Sequence, residues 1–128
     1  SLLFVPVMMA EQDYEAASEV GAAIADAVDG RDAIVIASTD MTHYKSASTA
    51  RQQDQVLIRR IEALDAQGLI AERAQRQISM CGSGPVAATM LAAVAMGATE
   101  VESLAYTTSG DVMPSQEVVG YYAAVMRR

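Results

Sequence analysis

The chain has 128 residues, 52% of them hydrophobic, and a formal net charge of -7. That acidic balance lacks the basic face a nucleic-acid binder needs, and no apolar run approaches the roughly 18 residues that cross a bilayer. With no Trp, one Phe and one Cys, the core must come from aliphatic residues and Met, and an internal disulfide is impossible, which fits a soluble protein of a reducing cytoplasm.

The opening SLLFVPVMM has no initiator Met, and it lacks the basic n-region and small-residue cleavage site of a signal peptide. An apolar strand at the first residues reads as a chain cut inside a domain. Residues 2–9, bounded by Glu11, predict a buried strand. From Asp13 to Val28, Ala17, Val20, Ile24 and Val28 recur at helical spacing, with acidic residues near the start and Gly30 at the end. AIVIAS, 33–38, predicts a second buried strand, so the start reads as a βαβ unit with parallel strands and a right-handed crossover. The run Thr49-Ala50-Arg51-Gln52 fits a capping box for a helix carrying Leu57, Ile61 and Leu64. A break at Asp65, Gln67 and Gly68 precedes a short helix that reaches about Arg76. Pro85 suits a first helical position and Gly97 follows the end of VAATMLAAVAM, a helix apolar nearly all round and therefore buried. EVESLAYTTS and EVVGYYAAVM then read as two strands joined by a loop at Gly110, Asp111 and Pro114. The expected fold class is α/β: residues 1–128 as a single domain, with a βαβ start flanked by helices and two closing strands.

In parallel α/β sheets, ligands gather at the carboxyl ends of strands. The loop after 33–38 carries Ser38, Thr39, Asp40, Thr42, His43 and Tyr44. His43 is the chain's one histidine, the side chain whose unperturbed pKa lies nearest neutrality, and it suits a base, an acid or a ligand. The competing reading is structural: Asp40 and Ser38 cap the next segment and His43 is merely half exposed. Cys81 has the same two sides. A thiol before a helix N-terminus feels the dipole that favours a thiolate, yet a free cysteine also serves as a small buried hydrophobe. Gly82 and Gly84 allow close approach of a ligand or backbone, or simply make the turn.

Several sites are excluded or demoted. A phosphate-cradling loop needs Lys where Pro85 stands, and the glycine pair is too short for a dinucleotide fingerprint. A tyrosine-phosphatase-like loop would want Arg at position 87, which is Ala. A zinc site needs about four ligands, and this chain has one Cys and one His. Glu11, Asp13, Glu15 and Glu19 read as a solvated helix face, and the eight Met residues as core filler.

ASTDMTHY, ISMCGSGPVAA, YTTSGDV and VVGYYAAVM, in that order and spacing, resemble the Memo family, whose microbial members are also called the B component of the AmmeMemoRadiSam system. The resemblance runs from VPVMM to AAVM and is to the C-terminal half of longer family members. It implies a fold similar to the class III extradiol dioxygenases of the LigB type. It also implies that Cys81 is a metal-binding thiol, with Asp40 and His43 in the site loop as catalytic residues. The iron or copper ion so implied would take two histidines from the N-terminal half, which have no counterpart in these residues, so the site is expected to be incomplete in this chain alone. Three functions follow as expectations: a metal-dependent redox protein acting on a small molecule; a phosphotyrosine-type peptide-binding module, as implied for animal members; or a cysteine nucleophile activated by His43. An acidic chain with few arginines in these loops does not favour anionic peptides. The expected partners are the N-terminal half or a second copy, with neither nucleic acid nor membrane.

Overall fold

The computed structural model describes residues 3–128. Among them, four helices, α1 (Tyr14–Val28), α2 (Ala47–Glu62), α3 (Ala66–Gln75) and α4 (Ser83–Ala95), pack beside three strands, β1 (His43–Lys45), β2 (Glu100–Thr108) and β3 (Val118–Arg127). The expected mixed α/β class holds, as do the two closing strands.

Local chemistry sets the helix starts. The Asp13 carboxylate accepts the Ala16 N–H and opens α1, and the Ser46 hydroxyl accepts the Thr49 N–H and opens α2. The cap of α2 is therefore Ser46, and Thr49 is already inside the helix, which begins three residues earlier than the capping-box pattern implied. Asp65 caps α3 through the Gly68 N–H. Arg60 of α2 reaches Asp65 at 2.8 Å and Glu72 at 2.9 Å, which fixes the α2–α3 turn. Helix α4 begins at Ser83, so Pro85 is its third residue and not its first; its missing N–H still costs nothing within the first turn.

The core forms where the helices meet. Ala17 of α1, Leu57, Ile58 and Ile61 of α2, Leu69 of α3, and Val86, Ala87, Ala88 and Met90 of α4 form one apolar cluster. Small residues let α1 and α4 approach closely: a Cβ added at Gly21 would meet the Ala88 carbonyl oxygen at 2.7 Å.

The sheet order is β1-β3-β2, with both pairings antiparallel. In the β2–β3 hairpin Glu100 faces Arg127 and Thr108 faces Gly120, with a register shift between Ser103 and Ala105. A bulge there exchanges the faces of β2, so that both Val101 and Tyr106 pack toward the core. In the connecting loop, Asp111 accepts the Thr108 N–H at 2.7 Å and the Thr107 hydroxyl at 2.9 Å, and Arg51 of α2 grips it in a two-pronged pair. The Thr108 N–H, then the Thr107 hydroxyl, and less strongly Arg51, hold the Asp111 carboxyl at about 2, below its ordinary 3.8.

The βαβ opening is not formed. Residues 3–9 and 33–38 carry no strand and no ladder joins them, while Leu2, the first residue of the expected strand, lies outside the described residues. Helix α1 runs between these segments as expected, but the apolar side chains flanking it face outward. Met8 is 97% exposed, and Ile34 and Ile36 are 89% and 83% exposed. Met9 and Ala37, by contrast, pack on the core. Strand composition marks a segment suited to burial, but a strand exists only when a neighbour meets its N–H and C=O groups. Within the described residues these segments have no such neighbour.

Two outcomes follow. Leu3, Phe4, Val5, Val7, Met8, Ile34 and Ile36 are all exposed, and each forfeits about 1.5–3 kcal/mol of burial. Residues 1–128 expressed alone should therefore self-associate and bind a hydrophobic dye; a monodisperse monomer with a cooperative thermal transition would show that these side chains need no cover. For Asp111, whose folded pKa is depressed, the stabilisation is complete above the ordinary 3.8 and lost as pH falls through about 2. The stability difference between the natural protein and Asp111→Asn should thus shrink over that window, as measured by denaturant unfolding at each pH.

Candidate functional site

Two loops meet at the chain's lone thiol and lone imidazole. In the turn between α3 and α4, Ile78 and Met80 are buried while Ser79 and Cys81 face outward, so two apolar anchors present a hydroxyl and a thiol on one side. The other loop, 38–43, is held by Met41, which is buried, and by two backbone bonds to β3: Met41 N–H to the Gly120 carbonyl and Gly120 N–H to the Thr42 carbonyl, each 2.9 Å.

The loops then pair residue by residue. The Asp40 N–H donates to Cys81 Sγ at 3.3 Å, and the Thr39 hydroxyl lies 3.7 Å from the same sulfur. One turn of chain further on, the His43 N–H donates to the Ser79 hydroxyl at 2.8 Å, and His43 Nδ1 lies 2.7 Å from the Ser79 carbonyl oxygen. A carbonyl can only accept, so Nδ1 carries the proton and Nε2 is left with its lone pair. Nε2 faces Asp40 Oδ2 at 3.6 Å. With a neutral ring these are two acceptors in opposition, an arrangement satisfied by a proton or a cation between them. Asp40 is thus the middle member, touching the thiol through its backbone and the imidazole through its side chain. The ring nitrogens of His43 engage Ser79 and Asp40, and among the described residues no hydrogen bond joins His43 to Cys81.

Close packing holds the cysteine turn in place. Thr39 Oγ1 accepts the Gly82 N–H at 2.8 Å. Gln12, just before α1, accepts the Gly84 N–H at 3.0 Å and donates to the Cys81 carbonyl at 3.1 Å. A side chain distant in sequence therefore supplies the cap that Gly82 lacks at the start of α4. Beneath the loop lies Asp54, wholly buried on α2. Its Oδ1 accepts the Thr42 N–H at 2.9 Å and the Thr42 hydroxyl at 2.6 Å, and its Oδ2 accepts the Tyr106 hydroxyl at 2.6 Å. Burial, reinforced by the bond to Asp54, pushes the Tyr106 hydroxyl above its ordinary 10. Gln12, Ser79 and Asp54 escaped the sequence reading. Asp54 carried a signal, an acidic residue on the apolar stripe of an amphipathic helix between Ala50 and Leu57; Gln12 and Ser79 carried none.

These residues do not by themselves form a complete metal centre. Among the described residues no group of three or more His, Cys, Asp or Glu side chains is placed to hold an ion. The donor set at the site is one soft sulfur, one imidazole nitrogen and one carboxylate. No helix among the described residues is long and apolar enough to cross a membrane.

The fold and the locus define a mixed α/β protein that presents one thiol, one carboxylate and one imidazole at the meeting of two loops. The sequence profile described as "Memo-like protein" matches residues 2–125, and the chain belongs to the Memo-like family. It is 50% identical over 131 aligned positions to a MEMO1 family protein of Methanopyrus kandleri, covering 100% of this chain and 46% of that protein. It is 48% identical to one of Methanothermobacter thermautotrophicus, covering 91% of this chain and 43% of the relative, and 38% identical to one of Nitrosopumilus maritimus, covering 93% and 44%. The chain thus spans a little under half the length of these curated relatives.

Gly82 gives a direct check of the loop pairing. A Cβ there would lie 2.7 Å from the Ser38 carbonyl oxygen and 2.7 Å from Thr39 Cβ. Gly82→Ala should cost about 1–3 kcal/mol by overpacking and loosen the contact between Asp40 and the sulfur. Thermal unfolding and the alkylation rate of Cys81 measure the two effects.

Proposed function

We propose that this segment carries the cysteine of a metal-dependent redox site in a Memo-like protein, with Cys81 as one ligand to iron or copper and chemistry resembling that of extradiol dioxygenases. The residues described here supply only part of a donor set, so the remaining ligands come from outside residues 1–128. A bound ion of this kind supplies redox and Lewis-acid chemistry. This chain's own side chains bind and move protons. His43, with Nδ1 committed to Ser79, offers Nε2 to a proton on a small-molecule substrate, and the Asp40 carboxylate at 3.6 Å stabilises the ring once it is charged.

The observation that carries this reading is the orientation of Cys81, exposed, with a backbone N–H directed at its sulfur. Such contacts accompany ligand sulfurs, whose properties they tune. The nucleophile reading draws less support, because His43 Nδ1 is bonded to the Ser79 carbonyl and Nε2 faces Asp40 at 3.6 Å, with no hydrogen bond to the thiol among the described residues.

Metal content of the full-length protein tests the proposal. Iron and copper, measured by elemental mass spectrometry, should approach one ion per chain in the natural protein. Occupancy at limiting metal should drop steeply in Cys81→Ala, since loss of a direct ligand exceeds the ~10–100-fold loss in affinity seen when only an outer partner is removed. Unchanged metal content in Cys81→Ala would refute the ligand role.

A further inference from the structure

Asp54 is wholly buried and takes no direct part in the proposed chemistry, yet its bonds converge on the residue between Met41 and His43. We propose that Asp54 is a positioning residue, a buried acceptor that fixes Thr42 and through it sets where Asp40 and His43 stand relative to Cys81. The inference rests on reading the Asp40–His43–Cys81 locus as the functional site.

The geometry carries it. Thr42 is wholly buried and gives both its N–H and its hydroxyl to one oxygen of Asp54, at 2.9 and 2.6 Å. That double bond to a single acceptor fixes the backbone and the side chain of Thr42 together. The loop residues to either side, by contrast, are held by contacts at the outer face: Asp40 by the sulfur, His43 by Ser79. The second oxygen of Asp54 takes the Tyr106 hydroxyl from β2, so the same carboxylate also registers the loop against the hairpin. Gly120 on β3 makes room for it, since a Cβ there would fall 2.0 Å from Asp54 Oδ2. Helix α2, the hairpin and the 38–43 loop therefore share one anchor, and it lies directly beneath the site.

The requirement is for acceptors in the right places, and this separates two substitutions. Asn at position 54 keeps an oxygen toward Thr42 and turns its amide toward Tyr106, whose hydroxyl can accept. Leu at position 54 has a similar volume and no acceptor, leaving the Thr42 N–H, the Thr42 hydroxyl and the Tyr106 hydroxyl buried and unmet. The test uses full-length, metal-stripped protein, well below its unfolding temperature. The readouts are the imidazole nitrogen shifts of His43 and the iodoacetamide reaction rate of Cys81, followed by peptide mass spectrometry. Asp54→Leu should abolish the Nδ1–H signature of His43 and speed Cys81 alkylation severalfold, while Asp54→Asn restores both. Leu57→Ala, a core truncation one turn along the same helix, serves as the destabilised control and should leave both readouts unchanged. The proposal fails if Asp54→Leu leaves His43 and Cys81 as they are, or if Leu57→Ala disturbs them equally. Because the ion is removed before measurement, these outcomes decide the role of Asp54 separately from whether Cys81 binds metal.

Discussion

The side chain of Asp54 is wholly buried and makes no ion pair among the described residues, and a buried carboxylate persists only where hydrogen-bond donors replace the water it has lost. Three donors from two other parts of the chain do so here. Each of those parts is thereby constrained: the 38–43 loop cannot slide along β3, and Tyr106 cannot leave the face of α2. The glycine at position 120 belongs to the same constraint, because the carboxylate occupies the space a side chain would take. The cost of leaving any of these groups unmet exceeds what the bonds add over water, so the cluster acts more as a specification of geometry than as a source of stability.

From that anchor outward, packing becomes simpler. Helices α1 and α4 touch through alanines and glycines, and the tight α1–α4 contact brings Gln12 to the start of α4, where it holds the cysteine turn. The alternation of Ile78, Ser79, Met80 and Cys81 does the remaining work: buried side chains fix the turn, and the polar pair between them faces the 38–43 loop. The site is therefore assembled from turns, but each turn is fastened to the core by a neighbour in sequence.

The segments on either side of α1 show the opposite condition. Residues 3–8 and 33–36 present aliphatic and aromatic side chains to solvent, and neither segment joins the antiparallel sheet. Such surface is costly in water and prone to association. The same chain that meets a buried carboxylate with three donors leaves these segments without strand partners among the described residues, and they flank the helix and loop that lead to the site.

Periodicity and composition by themselves determined the four helices, the closing hairpin and the largely buried character of α4, and they singled out His43 and Cys81 as the one histidine and the one cysteine, because these rest on local spacing and on scarcity. Helix starts were legible less well, since Ser46 and Thr49 offer equivalent hydroxyls and only the backbone decides which one caps. Residues 3–9 and 33–38 form no paired strands, because an apolar β-branched run records a preference for burial and not the presence of a ladder partner. What tertiary structure alone decided was the pairing of the two loops, the tautomer of His43 set by Ser79, the reach of Gln12, and the convergence on Asp54. Each of these is a contact between groups distant in sequence, where no spacing rule operates and only the folded backbone brings donor to acceptor.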